Sequence, residues 1–352
     1  MRVLITGHNG YIGSVMSGMV RAAGHDVRGL DTYFFEGCTL GPEPADLPSR
    51  RIDLRDVREE HFAGIDAVIH LAALSNDPLG DLDPELTYAI NHRGSLRLAQ
   101  LAKAAGVTRF LFASSCSLYG VAGDDMLDER AAFNPITPYG ESKVRLEHDL
   151  HGMADDAFSP TYLRNATAYG ASPRLRFDVV VNNLVGVALT TGEIRVQSDG
   201  TPWRPLVHVE DFSRAFIAVL NAPRERVHDE AFNVGRTEEN YQVSALAEMV
   251  RQELPGTVVR YAEGGGPDPR SYRVSCDKLA RMLPGFRPQW TVAKGIAELA
   301  RAFRAGGMTA ADFNGTRYVR LRRIRELQES GRLDATLRWV GAPAPAGAAE
   351  AS

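Results

Sequence analysis

Tyr139 and Lys143 stand four residues apart, directly after Pro138, which suits the first position of a helix. Positions four apart share one helix face, so the two side chains are expected to lie side by side. A tyrosine is a poor base at neutral pH because its pKa is about 10, but a neighbouring ammonium group stabilises the phenolate. The pair could then remove a proton from a substrate hydroxyl. This spacing occurs by chance in many helices. Whether the pair belongs to an active site therefore depends on the motifs around it.

Hydroxyl groups follow a predicted strand a short distance earlier in the chain. A helix predicted from its N-cap at Asp83 to Gly106 precedes residues 109–113, which are apolar after their first position and predict a β-strand. Ser115 and Ser117 come shortly after that strand. Because parallel sheets place ligand chemistry at the carboxyl ends of their strands, we expect these serines near the same site as Tyr139.

Three glycines separate a strand from a helix near the start of the chain. Residues 3–5 form a short apolar run typical of a buried parallel strand. Beyond the glycines, one helix face is apolar, at Ile12, Val15, Met16, Met19 and Val20. At Gly7, Gly10 and Gly13 the missing side chains let backbone N–H groups and the helix N-terminus approach a pyrophosphate. This context predicts a dinucleotide site rather than a glycine turn without a ligand.

Asp31 indicates which dinucleotide would bind. A second predicted strand, residues 26–30, ends at this aspartate, at the distance along the chain where an acid accepts hydrogen bonds from the adenosine ribose. A carboxylate in that place repels a 2′-phosphate. The sequence therefore favours NAD over NADP as the cofactor.

The order of these motifs resembles that of the extended short-chain dehydrogenase/reductases, and among them the NAD-dependent nucleotide-sugar epimerases and dehydratases. The resemblance runs to about Phe303. It implies an α/β fold, a doubly wound parallel sheet of the Rossmann type with a smaller C-terminal α/β substrate domain. It also implies a catalytic triad of Ser115, Tyr139 and Lys143, in which the serine orients the reacting oxygen and the lysine also holds the nicotinamide ribose.

The resemblance assigns the cofactor site as well. Asp53 and Leu54 end a third predicted strand, where family members contact adenine, and residues 67–73 form a fourth strand whose small last residues lie beside the cofactor. The implied cofactor contacts are Gly7, Asn9, Gly10, Tyr11, Ile12, Gly13, Asp31, Asp53, Leu54, Leu71, Ala72, Ala73, Tyr139 and Lys143.

The implied substrate contacts depart in part from the family pattern. Residues 162–170 resemble the sixth strand and the loop that begins the sugar-nucleotide site, but Thr167 stands where UDP-glucose 4-epimerase-like enzymes have an asparagine, and Asn165 lies two residues earlier. Asn183 matches an asparagine that contacts the substrate diphosphate in those enzymes. Arg204 matches their phosphate-binding arginine, whose planar donors fork onto phosphate oxygens.

A later loop, residues 268–273, resembles the family loop that closes over the nucleotide. The family's arginine position is occupied by Gly265 here, and Arg270 is the natural substitute, so the identities of base and sugar stay open. The candidate substrate contacts are Ser75, Ser115, Cys116, Ser117, Asn165, Thr167, Asn183, Arg204 and Arg270.

Several reactions use this constellation. An epimerase would oxidise the sugar transiently, with C4 expected here, and return hydride to the opposite face of the keto intermediate. The 4,6-dehydratases carry Asp-Glu directly after the triad serine, where this chain has Cys116 and Ser117, so dehydration is disfavoured. The 3,5-epimerases use a cysteine at the position of Ser117; Cys116 is one position earlier and is expected to point away from the sugar. A non-catalytic NAD-binding regulator would not need the triad. We therefore predict an NAD-dependent nucleotide-sugar epimerase.

The composition argues against some classes of binding partner and favours one cellular compartment. The chain has 352 residues, 44% of them hydrophobic, and a formal net charge of −4, so it presents no broad positive field for nucleic acid or membrane surfaces. The three cysteines match no zinc spacing, and the nine histidines supply no convincing metal set. A sparse, odd cysteine count without a signal peptide favours the cytoplasm.

The expected domain division is discontinuous. The predicted NAD-binding domain covers residues 1–165 with 204–235 returning to it, the substrate domain covers 166–203 and 236–340, and the tail 341–352 is expected to be disordered. The arginine-rich residues 317–338 predict an amphipathic helix whose basic side is solvated or packs on the enzyme. The family resemblance implies a homodimer.

Overall fold

A seven-stranded parallel sheet forms the centre of the molecule in the computed structural model, which describes residues 1–75, 83–121, 125–262 and 270–341. Its strand order is β11-β7-β5-β4-β1-β2-β3. The strands are β1 (Arg2–Thr6), β2 (Asp26–Asp31), β3 (Ser49–Arg51), β4 (Ala67–His70), β5 (Arg109–Ser115), β7 (Ser159–Asn165) and β11 (Glu230–Val234). The other strands are β6 (Met126–Leu127), β8 (Thr167–Tyr169), β9 (Glu193–Val196), β10 (Trp203–His208), β12 (Asn240–Gln242), β13 (Val258–Tyr261) and β14 (Arg273–Val274).

Helices cover the sheet and build a second, smaller layer. They are α1 (Gly13–Ala22), α2 (Pro84–Thr87), α3 (Ser95–Ala104), α4 (Pro138–Met153), α5 (Val180–Thr191), α6 (Val209–Asn221), α7 (Val243–Glu253), α8 (Asp277–Met282), α9 (Val292–Ala305), α10 (Ala310–Asn314) and α11 (Arg320–Glu329). Short 3₁₀ turns occupy Leu54–Asp56, Glu59–Phe62, Cys116–Tyr119 and Arg224–Arg226. The predicted fold class, a doubly wound parallel sheet with a smaller α/β part, is confirmed. Among the described residues, no helix combines the length and apolar character needed to cross a bilayer.

Apolar cores on the sheet and in the smaller layer follow from the amphipathic patterns. Helix α6 buries Phe212, Phe216 and Val219 against α1 and the sheet, because these residues recur on one face of the helix. A separate core joins helices α5, α7 and α9, through residues such as Leu184, Leu246 and Leu299. A third core, around Phe62 and Leu98, lies on the other face of the sheet. The sheet therefore has a core on each face and the smaller layer has its own, with β11 at the edge of the large sheet beside β7.

Several predicted elements differ from the structure. The fourth strand ends at His70 rather than at residue 73, and the helix predicted within 317–338 covers Arg320–Glu329. Asp83 does cap a helix by accepting a hydrogen bond from the Leu86 N–H, but the helix is interrupted by a π-helical stretch, Tyr88–Gly94, before α3. The π-helical stretch accompanies a tertiary contact. Its Asn91 side chain accepts a hydrogen bond from the Leu74 N–H and donates one to the Leu74 carbonyl oxygen. The third strand ends at Arg51 rather than at Leu54, since Asp53 caps the following 3₁₀ turn by accepting from the Arg55 N–H.

The C-terminal region packs against the segments that follow β2 and β4 rather than standing free. Helix α11 buries Ile324 and Leu327 in a cluster with Phe34 and Leu74, while Arg322 and Arg325 on its other side are exposed. Arg320, at the first position of the helix, is buried. Residues 342–352 of the predicted tail, Gly265, and the first two residues of the loop 268–273 lie outside the described residues.

A buried ion pair fastens α4 to β7. Glu147 of α4 accepts hydrogen bonds from Nε and Nη2 of Arg164 in β7, at 3.1 and 2.7 Å, and both side chains are below a tenth exposed. Removing one partner leaves the other as an uncompensated buried charge. The position of α4, which carries Tyr139 and Lys143, therefore depends on this pair.

We predict that Glu147→Gln lowers the free energy of unfolding by about 3–5 kcal/mol, because Arg164 keeps its charge without a carboxylate partner. Denaturant unfolding followed by circular dichroism measures the loss. The matched control is Glu248→Gln, which breaks the exposed pair with Arg251 and should leave stability unchanged. Equal effects of the two substitutions would contradict the assigned role of the buried pair.

Candidate active site

One cavity of about 770 Å³ lies at the carboxyl ends of the central strands. Its size is within the range of about 300–1,000 Å³ usual for small-molecule sites. The sequence-predicted residues that line it are Gly7, Gly10, Tyr11, Ile12, Gly13, Asp31, Asp53, Leu54, Leu71, Ala72, Ala73, Ser75, Ser115, Ser117, Tyr139, Lys143, Asn165, Thr167, Asn183, Arg204 and Arg270. Two predicted residues, Asn9 and Cys116, do not line it. The structure thus brings together side chains that are as much as 263 positions apart in the chain, from Gly7 to Arg270.

The glycine loop is packed too tightly for side chains. A Cβ atom on Gly7 would lie 2.9 Å from the backbone nitrogen of Ala72, and Gly7 has a φ of +74°. A Cβ atom on Gly13 would lie 2.1 Å from the carbonyl oxygen of Gly7. The bare backbone at the start of α1 therefore faces the cavity, as binding of a dinucleotide diphosphate requires.

Asp31, the last residue of β2, binds the backbone of the glycine loop. One of its carboxylate oxygens accepts a hydrogen bond from the Asn9 N–H at 3.0 Å, and the other accepts from the Tyr33 N–H at 2.7 Å. Each oxygen keeps a further lone pair toward the cavity, so the carboxylate can also accept from ribose hydroxyls. The Asn9 side chain is turned away and accepts a hydrogen bond from Arg174 Nε at 2.9 Å, which makes Asn9 a residue that holds the loop in place.

Ser115, Tyr139 and Lys143 line the same part of the cavity. Tyr139 and Lys143 lie in the first two turns of α4, which begins after Thr137 accepts a hydrogen bond from the Gly140 N–H. The Lys143 ammonium lies 5.4 Å from the centre of the Tyr139 ring and donates to the carbonyl oxygen of Ala113 at 2.8 Å. Ser115 ends β5, and its hydroxyl caps the next turn by accepting from the Ser117 N–H.

Burial sets the charge state of Lys143. Its side chain is almost fully covered, and this burial lowers the pKa of Lys143 to about 7, although the more distant Glu147 carboxylate raises it. Because this lysine is close to losing its proton at neutral pH, a nearby negative charge would stabilise its protonated form. The phenolate of Tyr139 would supply that charge, so the two groups favour each other's ionised forms.

Cys116, which was included among the candidate substrate contacts, requires a correction. Its thiol is fully buried outside the cavity and contacts the carbonyl oxygen of Arg164 at 3.2 Å, within a cluster that includes Tyr272 and Cys276. Burial raises the pKa of Cys116 above its usual value. Ser115, the last residue of β5, and Ser117 line the cavity, while Cys116, the first residue of the 3₁₀ turn, lies in the core.

Two arginines from different segments lie next to each other on the cavity wall. Arg204 of β10 donates to the carbonyl oxygen of Trp203 at 2.9 Å and also to that of Arg270, so the two arginines are neighbours on the cavity wall. Asn183 of α5 donates to the carbonyl oxygen of Phe177 at 3.1 Å. Asn165 ends β7, and among the described residues its side-chain oxygen, though buried, has no hydrogen-bond partner.

A model of the NAD dependent epimerase/dehydratase family matches residues 3–235, which include the glycine loop, Asp31, the triad and Arg204. The chain belongs to this family. The sequence-based recognition is confirmed, and so is NAD as the cofactor of the family to which the chain belongs.

Members of the family and solved structures are similar over most of the chain. The UDP-glucose 4-epimerase of Lacticaseibacillus casei is 28% identical over 327 residues, covering 85% of this chain and 96% of the relative. The UDP-glucose 4-epimerase of Corynebacterium glutamicum is 28% identical over 324 residues, covering 86% and 95%. The structure of MoeE5 in complex with UDP-glucuronic acid and NAD has a TM-score of 0.76 and 26% identity, and covers 87% of this chain and 99% of its own.

Sequence reasoning missed other residues of the epimerase/dehydratase cavity. Arg176 and Arg320 line it, and so do Asp178, Phe34 and Phe35. The close pair of arginines after Tyr169-Gly170 was a usable signal for Arg176. The arginine-rich segment gave no signal for Arg320, because the residues around it in the sequence do not distinguish a buried arginine from an exposed one.

We predict that the stability of the NAD-free protein rises between about pH 7 and pH 10. In that window unfolded Lys143 holds a proton that the folded lysine has lost, since its pKa is about 7 in the folded protein and about 10.4 in the unfolded chain. The free energy of unfolding should increase by at most about 1.4 kcal/mol per pH unit. A Lys143→Met variant should lack this increase. Denaturant unfolding of both proteins at several pH values measures the difference, and parallel curves would contradict the lowered pKa.

Proposed function

We propose that this family member is an NAD-dependent epimerase that inverts a nucleotide-diphosphate sugar, at C4 through a transient 4-keto sugar. The observation that carries the proposal is that Tyr139 and Lys143 line the same cavity as the glycine loop on one side and Arg204 and Arg270 on the other. A cofactor and a diphosphate-bearing substrate would therefore meet at the tyrosine.

The residues present fit NAD. Gly7, Gly10 and Gly13 line the cavity with their bare backbone, and Asp31 lines the same cavity. When bound, NAD supplies the acceptor and later the donor of the hydride at the sugar carbon. We infer that the glycine loop holds its diphosphate, that Asp31 holds the adenosine ribose, and that Lys143 holds the nicotinamide ribose.

The proton chemistry belongs to the triad. Tyr139, ionised beside the Lys143 ammonium, would accept the proton of the sugar hydroxyl. After hydride has returned to the opposite face of the sugar carbon, Tyr139 would give the proton back to the sugar oxygen. Ser115 would hydrogen-bond the same oxygen and orient it. Its hydroxyl is already held by Ser117 at 3.1 Å, so it needs little ordering when the substrate arrives.

Recognition of the substrate would rest on the second layer. Arg204 and Arg270 present guanidinium donors suited to a diphosphate, and Asn183 and Thr167 line the wall between them and the triad. The Asn165 amide oxygen, buried without a partner among the described residues, is suited to accept from a cofactor amide or a sugar hydroxyl.

Two other functions fit less well. Dehydration needs carboxylates after the triad serine, and Cys116 and Ser117 stand there; the carboxylates in the described cavity wall are Asp31, Asp53 and Asp178, none of which follows Ser115. A non-catalytic NAD-binding regulator would have no use for an adjacent, buried Lys143 beside Tyr139.

We further propose a cytoplasmic homodimer with the discontinuous domain division predicted above. The three cysteines lie buried and unpaired, which suits a reducing compartment. The core of α5, α7 and α9 supports a substrate layer of its own, whereas Leu279 and Leu283 of the segment 236–340 pack into the core of the sheet. The dimer rests on the family resemblance alone.

Cofactor choice gives a direct prediction. Wild type should bind NAD in preference to NADP, and Asp31→Ala should weaken NAD binding about tenfold or more, because a hydrogen bond to a charged group is worth about 1.5–3 kcal/mol. NADP binding should not weaken, since the repulsion of its 2′-phosphate is removed. Calorimetric titration of both cofactors measures this, and equal affinity of wild type for the two would argue against the role of Asp31.

The function is tested by incubating the NAD-loaded protein in heavy water with uridine, thymidine and guanosine diphosphate sugars, followed by proton NMR. We expect a C4 epimer without solvent deuterium on the ring carbons, because hydride moves only between sugar and cofactor. Tyr139→Phe should reduce turnover by at least about a hundredfold, the usual contribution of a general base, while retaining NAD.

Cys116→Ala is the matched control for the same experiment. Its thiol lies outside the cavity, so we expect substantial activity to remain. Deuterium at C3 or C5 together with loss of activity in Cys116→Ala would replace the proposal by carbanion chemistry. A product that has lost water would replace it by dehydration.

A further inference from the structure

Two buried arginines line the cavity on the cofactor side. Arg176 and Arg320 are 6% and 3% exposed, and each has one terminal nitrogen that is buried without a hydrogen-bond partner among the described residues. Leaving a charged donor unsatisfied away from water costs free energy. A pair of such donors on one cavity wall indicates that an anion completes the site.

Contacts place Arg320 beside the glycine loop. One of its terminal nitrogens donates to the carbonyl oxygen of Arg174 at 2.7 Å, and the side chain of Arg174 in turn holds Asn9 of the loop. The Arg320 guanidinium also lies 3.9 Å from the centre of the Phe35 ring. The first residue of α11 is therefore positioned by Phe35, which follows β2, and by the backbone of Arg174, whose side chain contacts the glycine loop.

Arg176 lies in the segment between β8 and α5 and approaches the end of β4. It donates to the Ser75 hydroxyl at 3.1 Å, and Ser75 follows the small residues Ala72 and Ala73 that pack against the glycine loop. Its other bond goes to Asp178 at 2.6 Å, which balances one positive charge. Within the described residues, Arg320 forms no ion pair within 4 Å, so the two arginines together keep an excess positive charge.

Arg320 keeps its proton under physiological conditions. Burial, reinforced by the neighbouring Arg176, lowers the pKa of Arg320 to about 10. The group is thus a cation at neutral pH, although its charge is disfavoured by its surroundings. A doubly charged diphosphate would relieve this, and a guanidinium fork matches phosphate oxygens better than a point charge does.

We propose that Arg320, with Arg176, binds the diphosphate of NAD, so that the C-terminal helix forms part of the cofactor site. The family model ends at residue 235, so this contact comes from a part of the chain that it does not cover. The anion is the cofactor's rather than the sugar's, because Arg320 lies against Phe35 and bonds to the backbone of Arg174, whose side chain holds Asn9 of the glycine loop. The inference concerns cofactor binding and is independent of which sugar carbon is inverted.

The rest of the C-terminal segment anchors Arg320 over this edge of the sheet. Ile324 and Leu327 pack against Phe34 and Leu74, and the Trp339 indole donates to the carbonyl oxygen of Thr32 at 2.7 Å. These contacts lie directly after Asp31, at the adenosine end of the cavity. The segment would therefore cover the bound dinucleotide and slow its release, as suits an enzyme that regenerates its cofactor in every turnover.

The test is calorimetric titration of Arg320→Gln with NAD, ADP-ribose, adenosine and UDP. We expect NAD and ADP-ribose, which share the diphosphate, to bind about tenfold to a hundredfold more weakly, while adenosine and UDP binding stay unchanged. The matched control is Arg325→Gln, which removes the same charge from an exposed position on the same helix and should leave all four affinities as in wild type.

A second variant guards against a folding defect. Arg320→Lys keeps the charge and the aliphatic stem but loses the fork, so it should fold and bind ADP-ribose with an affinity between those of wild type and Arg320→Gln. Wild-type affinity for ADP-ribose in Arg320→Gln would overturn the proposal. So would a selective loss of UDP binding, which would move the arginine to the substrate, or an equal loss for adenosine, which would make its effect a distortion of the adenosine pocket.

Discussion

The reversal of strand order beside β1 is the constraint on which the rest of the structure depends. The chain runs outward through β2 and β3, then returns to lay β4 on the other side of β1, and the connections on the two sides part at the carboxyl edge. The glycine loop leaves β1 on one side of this crevice, and Ala72 and Ala73 leave β4 on the other. The contact of Gly7 with Ala72 sets how closely the two sides approach. Ser115 after β5 and Asn165 at the end of β7 continue the same edge.

Positive charge within low-dielectric surroundings is the second organising feature. Lys143, Arg176 and Arg320 all line the cavity while being nearly covered by protein. Such charges are expensive to bury alone, and Asp178 balances only part of them. The phosphates of a dinucleotide and the phenolate of Tyr139 would restore the balance. The site therefore gains its electrostatic stability from the species that take part in the reaction.

The smaller layer and the C-terminal segment complete the cavity from outside the sheet. Arg204 and Arg270 come together from β10 and from the start of the segment that leads to β14. Helix α11 adds Arg320. The cavity is therefore lined by three regions of the chain: the loops of the sheet, the smaller layer and α11.

Local spacing in the sequence determined the parts of the protein in which neighbours in the chain are also neighbours in space. The strand, glycine loop and helix at the start, Asp31 at the end of β2, and the pairing of Tyr139 with Lys143 follow from periodicity and from backbone sterics that act within a few residues. The placement of Ser115 and Cys116 on opposite sides was accessible for the same reason. Tertiary structure decided the rest. The π turn around Asn91 depends on Leu74, and the burial of Arg320 depends on Phe35 and Arg174, which lie far away in the chain. An arginine-rich helix has the same local pattern whether one of its side chains meets solvent or a cofactor cavity, because only packing against distant segments determines which face is covered.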